Sequence, residues 1–131
     1  ALWTSPLVRA VQTAELSTVI WGEQEPIHVS RALLPGADPK TVLDELQAAD
    51  LKGPVALVGH EPHLGRLLAL ITGTKRTFTL PKGSVCRLRY RPKAPGESSL
   101  PVAPEEAPGQ FVGLYIPGVD HAIKELSELK P

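Results

Sequence analysis

Two residues with the chemistry to bind an anion lie at predicted strand-to-helix junctions, one near the start of the chain and one near its middle. Arg9 comes shortly after Ser5 and Pro6, and His60 comes two positions after the apolar run 55–58. A guanidinium presents a fork of N–H donors that matches phosphate oxygens. An imidazole can bind the same oxygens and exchange protons near neutral pH. Together the two side chains predict a site for a phosphate-like anion.

The residues around Arg9 predict a helix over 6–20. Residues 2–4 have the pattern of a strand end, Ser5 is a good N-cap, and Pro6 suits the first helical position. A cation in the first turn opposes the positive end of the helix dipole, so an anion bound there would account for Arg9. The alternative is an exposed arginine that pairs with Glu15 or another carboxylate. The predicted core-facing stripe of this helix consists of Leu7, Ala10, Val11, Ala14 and Val19.

The residues around His60 repeat this design. The run 55–58 is typical of a buried parallel strand, and Gly59 lets the backbone turn sharply. Pro62 and the apolar residues after it predict a helix that continues to Thr72. Ligands of open α/β sheets bind outside the carboxyl ends of the strands. Arg9 and His60 therefore meet at one site if their two strands are neighbours, which we assume.

The motifs at these junctions resemble those of the histidine phosphatase superfamily, and within it the short phosphohistidine phosphatases of the SixA type. The matching patterns are S-P-x-x-R-A-x-Q-T-A at 5–14, L-x-P-x-x-D-P at 33–39 and V-G-H-E-P at 58–62. With the helix that follows and the strand near Gly83, the resemblance covers most of residues 1–90. It implies an α/β fold of three layers, like that of phosphoglycerate mutase, in which helices flank a mostly parallel sheet.

The resemblance also implies a mechanism and roles for four residues. In the family, a histidine in an Arg-His-Gly motif at the end of the first strand attacks phosphorus and becomes transiently phosphorylated. Arg9 would bind phosphate, His60 would be the second, catalytic histidine that binds the same phosphate, and Ser5 and Glu61 would support them. This chain contains no Arg-His-Gly motif and no methionine. We therefore expect the first strand, its histidine and the first helix to lie upstream, and the 131 residues alone to be inactive.

The function that the resemblance implies is metal-independent hydrolysis of phosphohistidine in a phosphorylated protein, with no cofactor. Related mutases and bisphosphatases carry a further acidic residue on a longer insert after the first motif's helix. Here the stretch 22–34 is short, and Glu23 and Glu25 stand in no such context, which favours the SixA type. Two alternatives stay open: a non-catalytic phosphate-binding or regulatory module of the same fold, and a phosphatase of small phosphorylated molecules.

The other histidines carry no pattern of their own. A zinc site of the H-E-x-x-H type needs two histidines four residues apart on one helix, and Pro62 breaks that helical register between His60 and His63. We therefore predict no metal site. His28, His63 and His121 are expected on the surface. Glu61 is expected to stabilise the N-terminus of the following helix, with a place at the pocket rim as the alternative.

Composition is that of an enzyme domain of ordinary charge. The chain has 131 residues, of which 42% are hydrophobic, and 14 Lys and Arg balance 14 Asp and Glu. We expect one domain over 1–131 in the cytoplasm, since no targeting or membrane-spanning segment is visible. The single Cys86 excludes an internal disulfide. The arginines near residue 90 favour a solvated strand over nucleic-acid binding, because the net charge is zero and few aromatic residues stand among them.

The remaining segments are predicted to be structural. Asp38 caps a helix over 39–49, and the strand 84–91 pairs in a hairpin with the strand 111–116. The segment 92–109, rich in proline, is a flexible insertion between these strands. A terminal helix is predicted over 120–129. The residues expected to face the core are Val42, Leu43, Leu46 and Ala49 in the first helix, Cys86, Leu88 and Tyr90 in the strand, and Ile123, Leu126 and Leu129 in the last helix.

Overall fold

A computed structural model describes residues 1–22, 26–91, 107 and 109–131. Helices and strands alternate in the first half of the chain, and a strand pair follows. The elements are β1 (Leu2–Thr4), α1 (Val8–Trp21), β2 (His28–Val29), a 3-10 helix (Arg31–Leu33), α2 (Pro39–Ala49), β3 (Ala56–Val58), α3 (His63–Thr72), β4 (Val85–Tyr90), β5 (Gly109–Tyr115) and a second 3-10 helix (Leu126–Glu128).

The strands form two sheets within the described residues. β1 is the central strand of the first sheet and runs parallel to both β2 and β3. Thr4 at the end of β1 is in register with Val58 at the end of β3. The two strands that precede Arg9 and His60 are therefore neighbours, as we assumed. β4 and β5 form a separate antiparallel pair, which confirms the predicted hairpin but not its place in one mostly parallel sheet.

The main core lies on one side of the parallel sheet. Trp3 of β1 points into it, and its ring lies 4.6 Å from that of His28. Most of the other members come from α2 and α3, which pack against each other. The fully buried members include Leu33, Val42 and Leu43. Side chains from both sheets pack against this core, among them Leu57 of β3 and Leu88 and Tyr90 of β4.

α1 covers the opposite face of the parallel sheet, where it contacts β1 and β3. Ala10 and Ala14 face the sheet and are buried, as predicted. Val11 is half-buried, but the prediction is wrong for Leu7, which is exposed, and for Val19, which is 80% exposed. The sheet beneath has only three short strands and is too narrow to cover more of the helix. Four large apolar side chains of α1 are left facing outward: Val8, Leu16, Val19 and Ile20.

β4 alternates as the sequence predicts. Cys86, Leu88 and Tyr90 are half-buried, and the residues between them, including Arg87 and Arg89, are exposed. The thiol of Cys86 is not in a disulfide, and burial raises its pKa to about 11. Cys86 is thus a structural, unreactive thiol of the second core cluster, which is centred on Leu68, Phe78 and Leu114.

The predicted terminal helix is wrong. Ile123 is extended and pairs with Leu114 of β5 through both backbone groups, at 2.9 Å and 2.8 Å. Only the short 3-10 helix at Leu126–Glu128 follows. The periodic residues still face the core, because Leu129 is buried and both Ile123 and Leu126 pack against the second cluster. The outer edge of β5 offers backbone partners that a helix would leave unpaired, so the tertiary context overrides local periodicity.

α2 covers Pro39–Ala49, the range that the sequence predicts. α2 begins after Asp38, whose side chain accepts a hydrogen bond from the Lys40 N–H at 3.0 Å, but Ala49 at its end is exposed. β5 begins at Gly109 rather than at residue 111. The rest of the predicted insertion at 92–109 lies outside the described residues, except for position 107. No helix among the described residues is both long and apolar enough to cross a membrane.

Gly65 holds α3 close to the segment that contains Phe78. A Cβ atom at this position would overlap the carbonyl oxygen of Phe78 and would lie 2.9 Å from Oε2 of Glu61. We expect Gly65→Ala to lower the free energy of unfolding by about 1–3 kcal/mol, because the backbone must move to make room. Urea unfolding of the complete protein measures this. Gly36→Ala is the control, since a Cβ there meets nothing within 4 Å, and an equal loss in both variants would contradict the prediction.

Candidate functional site

A hydrogen bond joins the ends of the two neighbouring strands. Nε2 of His60 lies 2.8 Å from the hydroxyl oxygen of Ser5, which is completely buried. Ser5 directly follows β1, and its N–H donates to the carbonyl oxygen of Val58, the last residue of β3, at 3.0 Å. The two sequence motifs that suggested an anion site therefore meet at one edge of the sheet, separated by 55 residues of chain.

Ser5 does not cap α1 as predicted. The helix begins at Val8, and its N-cap is Leu7, which makes no side-chain cap. The hydroxyl of Ser5 instead accepts a hydrogen bond from the Leu7 N–H at 3.2 Å while it contacts His60. This hydroxyl thus fixes both the first turn after β1 and the ring after β3. The resemblance implied a supporting role for Ser5 but not its partner, because that partner depends on the pairing of β1 with β3.

The contact with Ser5 orients the half-buried imidazole of His60. The contact with the hydroxyl involves Nε2, so Nδ1 is the ring nitrogen that this contact does not use. The N–H groups of Val8 and Arg9, at the start of α1, likewise have no acceptor in the part of the chain that the structure describes. Free N–H groups at a helix start are favourable partners for an anion.

Arg9 lies in the first turn of α1, close in sequence to Ser5, and its side chain is exposed. The described residues supply no ion pair to it, so the alternative pairing with Glu15 is absent there. The guanidinium is therefore available to a ligand at the carboxyl edge of the sheet.

Glu61 lies over the first turn of α3. Both of its carboxylate oxygens are buried and lack a hydrogen bond of good geometry within the described chain. Burial raises its pKa, and the nearby backbone N–H groups of Leu80 and Gly65 partly oppose this. The carboxylate lies close to Gly65 in α3 without capping the helix, so the expected stabilisation of this helix N-terminus stays a prediction. Because the folded state holds this proton more tightly than the unfolded chain, the stability that Glu61 adds in acid is lost as the pH rises above 4.5.

His63 is not on the surface, contrary to the prediction. It is the first residue of α3 and is completely buried, whereas His28 and His121 are exposed as expected. The sequence did hold a signal for this. Positions 63, 67 and 71 are four residues apart and share one helix face, and Leu67 and Ile71 are core residues. A histidine at the start of an apolar stripe was therefore on the buried side.

Metal ligands are not clustered in this part of the molecule. Among residues 1–22, 26–91, 107 and 109–131, no three His, Cys, Asp or Glu side chains lie close enough together to hold a metal ion. The groups that meet here are the imidazole of His60 and the hydroxyl of Ser5, and the first turn of α1, which carries Arg9, begins three residues after Ser5. Such a set of donors can bind a tetrahedral oxyanion and stabilise charge on it.

Comparison with known proteins finds similarity among solved structures. No family model and no curated protein sequence matches the chain. Among solved structures, the chain is similar to the protein histidine phosphatase SixA, determined as a complex with tungstate. The TM-score is 0.68 at 20% sequence identity, and the match covers 86% of this chain. The chain has the SixA fold. It spans 65% of the length of that SixA chain.

The SixA fold confirms the expected α/β class, with a parallel sheet between α1 on one face and α2 with α3 on the other. The sequence resemblance and the structural likeness are separate observations. The first rests on short motifs, and the second rests on the path of the backbone. Both lead to SixA, and the motifs at 5–14 and 58–62 meet in the SixA-like sheet through Ser5 and His60.

Buried His63 makes the stability of this SixA-like chain depend on pH. Burial lowers the pKa of His63 from 6.5, and the nearby carbonyl of Ala32 and Asp38 oppose this shift only partly. The unfolded chain therefore takes up this proton at a higher pH than the folded chain does. The contribution of neutral His63 to the free energy of unfolding is complete above pH 6.5. It falls as the pH drops from 6.5 towards the lowered pKa of the folded state.

We expect the free energy of unfolding to fall between about pH 7 and pH 5, and His63→Leu to remove most of that slope. Urea unfolding at several pH values measures it in the complete protein. His121→Leu serves as the control, because His121 is exposed. The same slope in the His63→Leu variant as in the natural protein would contradict the prediction.

Proposed function

We propose that this chain is the larger part of a phosphatase domain that hydrolyses phosphohistidine in proteins without a metal ion. The observation that carries the proposal is the contact between Ser5 and His60, which unites the two phosphatase-like motifs at one edge of a SixA-like sheet. SixA is itself a protein histidine phosphatase and was solved with tungstate, an oxyanion shaped like phosphate. Ligands of such sheets bind at this edge.

Each residue of the site has a role in this reaction. Ser5 holds Nε2 of His60, which leaves Nδ1 to bind a phosphoryl oxygen and to exchange a proton with the reacting groups. Arg9 binds the phosphoryl oxygens with its fork of donors, and the free N–H groups at the start of α1 add to this. These groups stabilise negative charge that develops during transfer, which a metal ion does in other phosphoryl-transfer enzymes.

The nucleophile in this proposal is a histidine that lies upstream of the 131 residues. Its ring nitrogen forms a bond to phosphorus while the bond from phosphorus to the substrate imidazole breaks, and the leaving imidazole takes a proton. Water then attacks the phosphorylated enzyme, releasing inorganic phosphate and the free histidine. A phosphoramidate has a good leaving group, so no strong general acid is required.

Unpaired strand edges support a further strand in the complete domain. β3 pairs only with β1, and β4 pairs only with β5, among the residues that the structure describes. Side chains of β3 and β4 nevertheless pack on the same core, at Leu57 and Leu88. A strand paired parallel to the free edge of β3 would bring its carboxyl end towards His60, which follows β3. The exposed apolar side chains of α1 are suited to be covered by a further element.

The experiment is to sequence the reading frame upstream of residue 1, express the complete protein and add a phosphohistidine-containing protein. We expect an upstream Arg-His-Gly motif, release of inorganic phosphate and an acid-labile phosphoenzyme. Tungstate should compete for the site. Turnover only on small phosphate esters would instead support the small-molecule phosphatase.

A second candidate function, a non-catalytic phosphate-binding module, is favoured by one observation: the 131 residues contain no Arg-His-Gly motif. Binding of tungstate without turnover, together with an upstream strand that lacks the histidine, would establish it in place of the phosphatase.

A further inference from the structure

The first 3-10 helix, Arg31–Leu33, is fixed to the end of β1 and to α2. The N–H of Ser30 donates to the carbonyl oxygen of Thr4 at 2.8 Å. The buried Ser30 hydroxyl caps the 3-10 helix by accepting from the Ala32 N–H, and it donates to Glu45 of α2 at 2.6 Å. This segment therefore has a defined place next to the strand that ends at Ser5.

The same segment packs directly behind the turn that carries His60. A Cβ atom at Gly59 would lie 3.6 Å from the carbonyl oxygen of Leu33 and 3.2 Å from a methyl carbon of Leu64. The backbone at Gly59 is thus enclosed between the 3-10 helix and α3. Movement of either element would move the residue that follows, which is His60.

His63 lies where the 3-10 helix meets α3. It is completely buried, and the carbonyl of Ala32 lies close enough to its ring to influence its titration. Neither ring nitrogen makes a hydrogen bond of good geometry within the described residues. A leucine at this place would avoid burying these polar atoms. The charged or titratable groups that face the ring are Asp38 at the start of α2, Arg66 of α3 and His60.

We propose that His63 is a positioning residue, which sets the contact of His60 with Ser5 by filling the space between the first 3-10 helix and the start of α3. The ring is completely buried at the first position of α3, three residues along the chain from His60. The inference rests on the proposed function only in taking His60 as the group that binds phosphate. Nothing in it requires His63 to touch the ligand.

The test uses the complete protein labelled with ¹⁵N, together with the variants His63→Leu and His63→Asn. Leucine fills part of the space without ring nitrogens, whereas asparagine retains a polar group near the position of Nδ1. His121→Leu is the matched control, because His121 is exposed. The first measurement is the ¹⁵N spectrum of the His60 ring, which reports whether Nε2 is held as one tautomer. The second measurement is the dissociation constant for tungstate.

In the natural protein we expect one tautomer of His60 and a His63 ring that stays neutral to a pH below 6.5. In His63→Leu we expect a mixture of His60 tautomers and an affinity for tungstate that is about tenfold weaker, because small misplacements of a binding group are costly. His63→Asn should restore part of the single His60 tautomer and part of the affinity for tungstate. His121→Leu should change neither the tautomer nor the affinity. A purely structural role for His63 would alter stability without this change in the tautomer.

The outcomes separate the two proposals. An unchanged His60 spectrum and unchanged tungstate affinity in His63→Leu would overturn the positioning role. If His63→Leu does not fold, the same comparison with His63→Asn decides, and titration of His63 in the natural protein at its ordinary pKa would also overturn it. If the natural protein binds no tungstate but the His60 tautomer still depends on residue 63, the positioning role stands and the proposed function fails.

Discussion

Replacement of His60 by alanine is expected to lower the phosphatase turnover of the complete protein at least about tenfold, which corresponds to about 1.4 kcal/mol of activation free energy. The variant loses the only imidazole that the described residues place at the carboxyl ends of β1 and β3. It also removes the contact of the buried Ser5 hydroxyl with His60, which leaves that hydroxyl its hydrogen bond from the Leu7 N–H. Steady-state release of inorganic phosphate from a phosphohistidine protein measures the effect.

Arg9→Ala is expected to lower the phosphatase turnover by at least the same factor, since it removes the guanidinium from the first turn of α1. Arg9→Lys should recover only part of it, because an ammonium lacks the fork of donors. The matched controls are Arg87→Ala on the exposed face of β4 and His121→Ala. Near-natural turnover in the His60→Ala or Arg9→Ala variant would remove that residue from the site.

The 131-residue chain produced alone is expected to have no turnover and no cooperative thermal unfolding well above room temperature. The proposed nucleophile lies outside it, and the edges of β3 and β4 have no partner strand in the described part of the chain. The large apolar side chains on the outer face of α1 lower the stability of the isolated chain further, since Val8 is 69% and Ile20 78% exposed to water. Folded domains are only marginally stable, so unpaired strand edges and exposed apolar side chains take up a large share of the available stability.

Circular dichroism during heating and trapping of the phosphoenzyme measure these two expectations, with the complete protein as the reference. A cooperative melt well above room temperature would show that the chain folds by itself. Formation of a phosphoenzyme by the 131 residues would place the nucleophile inside them and would require a new assignment among the histidines that they contain.

The sequence predicted the elements that local chemistry determines. Asp38 with Pro39 marked the start of α2, and Gly73 ended α3 with a positive φ of 70°. The run around residue 57 was correctly assigned to a parallel strand next to β1. These features depend on capping, on backbone freedom at glycine and on short-range periodicity, all of which can be read along the chain.

The features that the sequence did not predict depend on contacts between distant segments. The hydroxyl of Ser5 had two possible uses, as a helix cap or as a partner of His60, and only the pairing of β1 with β3 decides between them. The apolar residues in the stretch that ends at Leu129 have a helical period. Ile123 is nevertheless extended, because its backbone pairs with Leu114 at the edge of β5. Periodicity showed which side chains are apolar, but not which backbone groups still needed partners.

The prediction that His63 lies on the surface was wrong, because the residues before it match a motif that gives His63 no role. The pattern V-G-H-E-P accounts for His60 and Pro62 and ends just before it. The four-residue spacing to Leu67 gave the correct answer, since residues on one helix face share their environment. Polar residues at the start of an apolar stripe should be assigned by that spacing.

Cys86, the single cysteine of the chain, can report on the opening of the sheet formed by β4 and β5. Cys86 points inward from β4, and its raised pKa, about 11, leaves almost none of the reactive thiolate near neutral pH. Alkylating reagents therefore modify this position at a rate limited by how often the β4–β5 hairpin opens. Labelling kinetics at graded denaturant concentrations would measure the opening of this hairpin without any introduced probe. Comparison with global unfolding would then show whether the hairpin opens independently of the parallel sheet.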